Sequence, residues 1–158
     1  MNRSCAVTGS FDPITIGHLN IIERAKELFD TVYVLMLINP EKKYLFTTDE
    51  RLSFLKTLFN DDKQVKVYFY SGYTADFCRE HGIKTLVRGI RNEQDLIYEK
   101  NLAKLNYDYG GLETCFFVAD EKMKEISSSL LKDEQNRDKY LEIVPEKIRV
   151  QVKEKFNG

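Results

Sequence analysis

Residues Cys5–His18 read CAVTGSFDPITIGH. A short apolar run, Cys5 to Val7, meets a loop punctuated by Gly9 and Pro13, and a helical pattern opens at Gly17 and His18. Strand, turn and helix in that order form the first unit of an α/β sheet, and the turn is where such a sheet presents its chemistry. Gly9 has no Cβ to hold a ligand off the backbone. Ser10 adds a hydroxyl, and Pro13 fixes φ. The free N–H groups and dipole of the helix start favour an anion. A hydroxyl, exposed amides and an imidazole at this point make a phosphate-handling site. The run is neither a Walker loop, since no Gly-Lys-Ser/Thr follows, nor a G-x-G-x-x-G fingerprint.

Outward from this stretch, strand and helix signals alternate. The first strand is expected over 3–8 and the first helix over 17–29, with Leu19, Ile22, Ala25 and Phe29 on one face. A continuous apolar run at 32–38 suits a strand buried on both faces. Thr47 and Glu50 form a capping box for a helix carrying Leu52, Leu55, Leu58 and Phe59 inward. A third strand is expected at 65–70, and Thr74 is expected to cap a short helix that stops near Gly82. A fourth strand at 84–87 leads straight into Arg88, Gly89, Ile90 and Arg91. Asn92 caps the next helix, which reaches Asp108 with Leu96, Ala103 and Tyr107 inward and is closed by Gly110 and Gly111. A fifth strand is expected at 113–119. Ile126–Ser129 (ISSS) opens another short helix, and Pro145 starts the last, with Ile148, Val152 and Phe156 spaced by four. Five strands separated by helices predict an α/β fold: a single-domain, doubly wound, five-stranded parallel sheet spanning residues 1–158.

Bulk properties narrow the function. The chain has 158 residues, 42% apolar and 31% charged, which suits one domain with a proper core. A net charge of −1 supplies no global field for nucleic acid or an anionic membrane, so neither is expected as a partner, and any anion site must be a local cluster of cations. The three cysteines form no C-x-x-C pair, and two histidines are too few to suggest a zinc site. Cys5 and Cys115 lie in apolar strand patterns and read as buried thiols in a reducing cytosol. No signal peptide or membrane-spanning run is read, so a cytoplasmic location is expected.

The chemistry-bearing residues follow predicted strands one, two, four and five. His18 can donate to a phosphate oxygen and stabilise developing charge. His81, in REHG at a helix end, reads as structural. Lys42 and Lys43 follow a buried strand just past Pro40; Lys42 is the candidate, and Lys43 is expected to point away. Arg88 and Arg91 in RGIR can wrap an anion bidentately. Glu99, two turns along the next helix, is either a site residue or a salt-bridge partner. The ISSS serines offer hydroxyls and amides, although one serine is enough for a cap. No Ser–His–Asp set and no activated cysteine is apparent. Cations, hydroxyls and amides around phosphates are the equipment of phosphoryl or nucleotidyl transfer.

Three of these segments carry a resemblance. GSFDPITIGH, with TIGH at Thr15–His18, RGIR followed by DLIYE, and ISSS resemble the three motifs of the phosphopantetheine adenylyltransferase family, in the nucleotidyltransferase superfamily with the HIGH-type motif. Chain length and spacing agree from end to end. The resemblance implies a Rossmann-like nucleotidyltransferase fold and the conversion of ATP and 4′-phosphopantetheine to 3′-dephospho-coenzyme A and pyrophosphate, in coenzyme A biosynthesis. It implies direct in-line attack without a covalent intermediate, Mg2+ bound mainly through the ATP phosphates, a cytoplasmic enzyme, and a homohexamer built as a dimer of trimers. Carried over by position, Ser10, Lys42 and Arg88 contact the pantetheine-side phosphate, and Thr74 contacts the pantetheine arm through its backbone. Gly9, Ser10, Phe11 and His18 line the ATP site. Gly89, Ile90, Arg91, Glu99, Lys124, Glu125, Ile126, Ser127, Ser128, Ser129 and Leu130 complete it. His18, Lys42 and Arg91 take the catalytic roles. The family often has threonine at Ser10, so the hydroxyl is retained, and often an aromatic shortly before ISSS, where this chain has Met123, Lys124 and Glu125. Two other readings stand beside this one: a related transferase using nicotinamide mononucleotide or CTP, and a non-catalytic nucleotide-binding module.

Overall fold

The computed structural model describes residues 2–157, apart from the side chain of Tyr140. The end positions of the expected domain, Met1 and Gly158, lie outside the described residues. Among the described residues, five strands form one sheet: β1 (Ser4–Gly9), β2 (Thr31–Leu37), β3 (Val65–Tyr70), β4 (Thr85–Ile90) and β5 (Glu113–Val118). Their order across the sheet is β3-β2-β1-β4-β5, and every pairing is parallel. The helices are α1 (Ile16–Leu28), α2 (Thr48–Phe59), α3 (Thr74–Glu80), α4 (Glu93–Gly110) and α5 (Glu146–Asn157). The doubly wound sheet read from the sequence is therefore the observed fold.

Alternation along the strands sorts the core into two layers. Cys5, Val7, Val32, Val34, Met36 and Val87 face one side, where they pack with Ile22 and Ala25 of α1, Leu55 of α2 and Ile148 of α5. Ala6, Leu35 and Leu86 face the other, against Ala75, Phe77 and Cys78 of α3. The chain turns from building leftward to building rightward between β1 and β4. Ligands bind at such a switch point, outside the carboxyl ends of the strands.

Four expectations need correction. The fourth strand does not stop at Val87 but runs to Ile90, so Arg88 and Gly89 belong to the sheet, paired with Phe116 and Phe117 of β5. Tyr73, not Thr74, caps α3, and it caps without a side-chain hydrogen bond; Thr74 is the first helical residue. On α4, Leu96 is 38% and Tyr107 55% exposed rather than inward. Glu99 is the one buried residue of α4 among those described, so the helix turns only a narrow face to the sheet and leaves apolar side chains along the rest of its length. Cys115 is exposed because β5 is an edge strand, while Cys5 and Cys78 are buried.

Candidate active site

The carboxyl ends of β1 and β4 and the start of α1 enclose a cleft of about 300 Å³. The cleft brings together Gly9, Ser10, His18, Arg88, Gly89, Arg91 and Glu99 with Ile126, Ser127 and Ser128 of the third motif. Gly89 allows this closeness: a Cβ there would stand 3.2 Å from Ile21 of α1.

His18 occupies the third position of α1, and the helix cap defines its chemistry. Thr15 is the N-cap; its Oγ1 accepts from the His18 backbone N–H at 3.3 Å. In return, the Thr15 backbone N–H donates to His18 Nδ1 at 3.0 Å. This is a capping box with histidine in the place usually taken by Glu or Gln. A backbone N–H can only donate, so Nδ1 carries no proton and Nε2 does. Nε2 makes no hydrogen bond among the described residues and is left for the cleft. Burial, reinforced by the positive charges of Arg88 and Arg91, holds the imidazole well below its ordinary value, at about 4. The group is therefore a neutral, oriented N–H donor at pH 7. Phe11, with φ 46° and 2% exposed, sets its ring edge-on to the imidazole, centroids 5.1 Å apart.

Arg88 is held on three sides. Its Nε and Nη2 donate to Glu99 Oε2 at 2.9 Å and Oε1 at 2.7 Å, a bidentate pair. Its Nη1 donates to the Thr8 carbonyl at 2.7 Å and to Thr8 Oγ1 at 3.0 Å. One Nη2 hydrogen has no partner among the described residues. Arg91 is held by Asp95, through its backbone N–H at 3.0 Å and Nε at 3.2 Å, and its Nη1 donates to the Ile126 carbonyl at 3.1 Å. That last bond fastens the ISSS loop to the RGIR segment. Ser128 fastens it again, donating from Oγ to the Pro13 carbonyl at 2.8 Å. Ser127 accepts from the Ser129 backbone N–H at 3.3 Å and caps the turn Ser128–Lys132.

Lys42 reaches the cleft from its rim: Nζ lies 3.3 Å from Ser10 Oγ. Lys43 is exposed. Buried Asp12 anchors the loop that carries Lys42, accepting from the backbone N–H groups of Leu45 and Phe46 at 2.6 and 2.8 Å. The Asp12–Pro13 peptide is cis. Phe11 and Ile90 are buried behind the cleft. Lys124, Glu125 and Ser129 are exposed on the loop, Leu130 packs against the core, and Thr74 stands at the start of α3; none of these lines the cleft. His81 is structural as read, its Nδ1 2.9 Å from the Phe77 carbonyl and its ring stacked on Phe77.

Sequence reasoning did not single out Thr8, Asp12, Tyr44, Arg51 or Asp95. Asp95 follows Arg91 by four on a helix start, and that spacing was a readable sign of its pairing. The partners of the others lie across loops, with no spacing to betray them. The arrangement as a whole places a neutral donor, two oriented guanidiniums and a lysine around one strand-end cleft, which suits two phosphates held against each other.

A family model described as cytidylyltransferase-like matches residues 6–134. A phosphopantetheine adenylyltransferase of Christiangramia forsetii is 39% identical over 148 residues, covering 93% of this chain and 98% of its own. One from Rhodopirellula baltica is 42% identical over 154 residues, 94% of this chain and 86% of its own. One from Thermotoga neapolitana is 43% identical over 126 residues, 79% and 78%. The crystal structure of the lipopolysaccharide core biosynthesis protein from Thermoplasma volcanium GSS1 superposes with a TM-score of 0.54 at 19% identity, over 76% of this chain and 98% of that one, a likeness of fold alone. By the identity and coverage of these relatives, the chain is a nucleotidyltransferase and belongs to the phosphopantetheine adenylyltransferase family.

Proposed function

We propose that the chain transfers the adenylyl group of ATP to 4′-phosphopantetheine, giving 3′-dephospho-coenzyme A and pyrophosphate. The observation that carries this reading is the His18 capping box, which presents a neutral Nε2–H to a cleft flanked by Arg88 and Arg91. An oxygen of the pantetheine phosphate attacks the α-phosphorus of ATP in line. The bond from the α-phosphorus to the bridging oxygen breaks, and pyrophosphate leaves with the electron pair. The nucleophile is already an anion, since a phosphate monoester loses its second proton near pH 6, so no general base and no covalent intermediate are needed. The protein must hold two anions together. Orientation supplies on the order of 7–11 kcal/mol, and a donor on developing charge about 3–4 kcal/mol.

In this reading Ser10, Lys42 and Arg88 hold the acceptor phosphate. His18 and Arg91 meet the transferred phosphate, and the amides of Ser127 and Ser128 face the leaving pyrophosphate. Both cleft carboxylates, Asp95 and Glu99, are engaged by arginines. Magnesium would therefore be held by ATP phosphates and water, where it neutralises triphosphate charge.

The test is pyrophosphate release with ATP and 4′-phosphopantetheine, omitting each in turn, with the product identified by mass. CTP and nicotinamide mononucleotide serve as alternative donor and acceptor. Release dependent on both proposed substrates is the expected result. Release only with an alternative, or ATP binding with no acceptor accepted, overturns the reading.

We propose a homohexamer, a dimer of trimers, as the assembly. Its support is the exposed apolar surface of α4, where Ile97, Tyr98 and Leu105 are each about 65% exposed. Light scattering should give six protomer masses; a monomer or dimer would refute it. A cytoplasmic location belongs to the same proposal. Among the described residues no helix is long and apolar enough to cross a membrane.

A further inference from the structure

Arg51 of α2 is 1% exposed, and it is charged. A guanidinium removed from water is costly unless an acid pairs with it, and an apolar side chain of the same volume fills such a space more cheaply. Among the described residues no carboxylate lies within ion-pair distance of Arg51. Its Nε–H makes no hydrogen bond among the described residues. Packing alone does not call for this residue here.

Its contacts point to another reason. Nη1 donates to the Ser10 carbonyl at 2.9 Å, and Nη2 to Thr48 Oγ1 at 3.4 Å. The guanidinium lies over the Tyr44 ring, 3.8 Å from its centroid. Lys42 Nζ stands 5.5 Å from the centroid of the same ring and 3.3 Å from Ser10 Oγ. One guanidinium thus supports both ends of the Lys42–Ser10 contact: Ser10 through its carbonyl, and Lys42 through the ring beside it. A buried cation also raises the potential at the neighbouring anion site.

On the strength of the proposed adenylyl transfer, we infer that Arg51 is a positioning residue for the acceptor phosphate. It sets the spacing of the Ser10 loop and the Lys42 loop and adds a positive charge beneath them. Substrate never touches it; it acts through Ser10, Tyr44 and Lys42. Lysine keeps the charge but cannot reach both loops with a planar fork, and glutamine loses both charge and fork.

The experiment compares Arg51→Lys and Arg51→Gln with the wild-type chain, measuring thermal midpoint and the KM for each substrate. The KM for 4′-phosphopantetheine should rise about 10-fold in the lysine variant and about 100-fold in the glutamine variant, while the KM for ATP moves less than about threefold. A merely structural role predicts something else: both KM values unchanged, or activity lost in proportion to folded protein. Either result overturns the inference. Should the Arg51 variants not fold, Tyr44→Leu removes the ring at a less buried position. The same split is then expected, and equal KM values for wild type and folded Tyr44→Leu overturn the inference. A wild-type chain that binds 4′-phosphopantetheine by calorimetry without releasing pyrophosphate defeats the adenylyl-transfer reading alone. The Arg51 comparison then proceeds on binding constants. A wild-type chain that does not bind 4′-phosphopantetheine defeats both.

Discussion

Arg88 and Glu99 meet at two points, Nε on Oε2 and Nη2 on Oε1, with the Glu99 side chain 7% exposed and that of Arg88 23% exposed. The carboxylate fixes the plane of the guanidinium, so under the proposed function the charge that Arg88 offers to a phosphate is oriented before substrate arrives. Glu99 thus pairs with Arg88 while also lining the cleft.

This pairing separates stability from binding. Removing one partner strands the other charge, at a cost of about 3–5 kcal/mol in a fully buried pair. Arg88 opens onto the cleft, so about half of that is expected for Arg88→Met. The double variant Arg88→Met with Glu99→Met should recover most of the stability, because neither charge is left behind. Binding of 4′-phosphopantetheine should stay weak in both. Urea midpoints and calorimetric Kd values check this, and a double variant that regains affinity would remove Arg88 from the acceptor site.

The capping role of His18 and its proposed role as a donor can be divided by substitution. His18→Ala loses both the capping box and the donor. His18→Gln keeps a side-chain acceptor for the Thr15 N–H and so keeps the cap. Turnover should fall about 10²–10³-fold in His18→Ala, the usual cost of losing a transition-state donor. His18→Gln should fall comparably, while its thermal midpoint stays near wild type. Wild-type turnover in either variant would exclude His18 from the chemistry.

The tautomer and the depressed pKa are open to direct measurement. Nitrogen NMR at pH 5.5 should show His18 neutral, with Nδ1 unprotonated and Nε2 protonated, and titration should centre at about 4. The unfolded chain protonates near pH 6.5. Between these values the unfolded state binds more protons than the native state. His18 therefore makes stability fall as pH drops from about 6.5 to about 4, and that slope should flatten in His18→Gln. A titration centred near 6.5 in the folded protein would contradict the burial of the imidazole beside Arg88 and Arg91, and a protonated Nδ1 in the neutral ring would contradict the capping box.

Asp12 uses both carboxylate oxygens on backbone donors of the Lys42 loop. Asn at this position keeps the shape but points an amide N–H at one of those donors. Asp12→Asn should cost about 1–3 kcal/mol and raise amide exchange across residues 42–46 more than in β1. A variant with wild-type stability would show that the loop holds without this anchor.

Much of the fold was legible because its signals are local. Alternating apolar runs and turn residues sufficed for β1, β2 and β3, and the Thr47–Glu50 box and the Asn92 cap stand as read. The errors have a common origin in tertiary context. RGIR reads as a loop because of Gly89 and two arginines, yet β5 pairs with it and extends β4 to Ile90. The apolar residues of α4 follow a helical period, but nothing in a sequence says whether the opposing surface belongs to the same chain. In the site, the three motifs were visible as residue types. Their supports were not, since Arg51, Tyr44 and Asp12 reach their partners across loops without regular spacing.

The cleft is stitched from distant parts of the chain: Arg88 to Thr8 across 80 positions, and Ser128 to Pro13 across 115. During synthesis a ribosome-bound chain therefore carries its first motif long before the partners that complete it. Nucleotide affinity should stay absent until Ser128 has left the exit tunnel, then appear in one late step. The bond from Ser128 to Pro13 thus joins the first motif to the last one made, so the cleft is completed only late in synthesis.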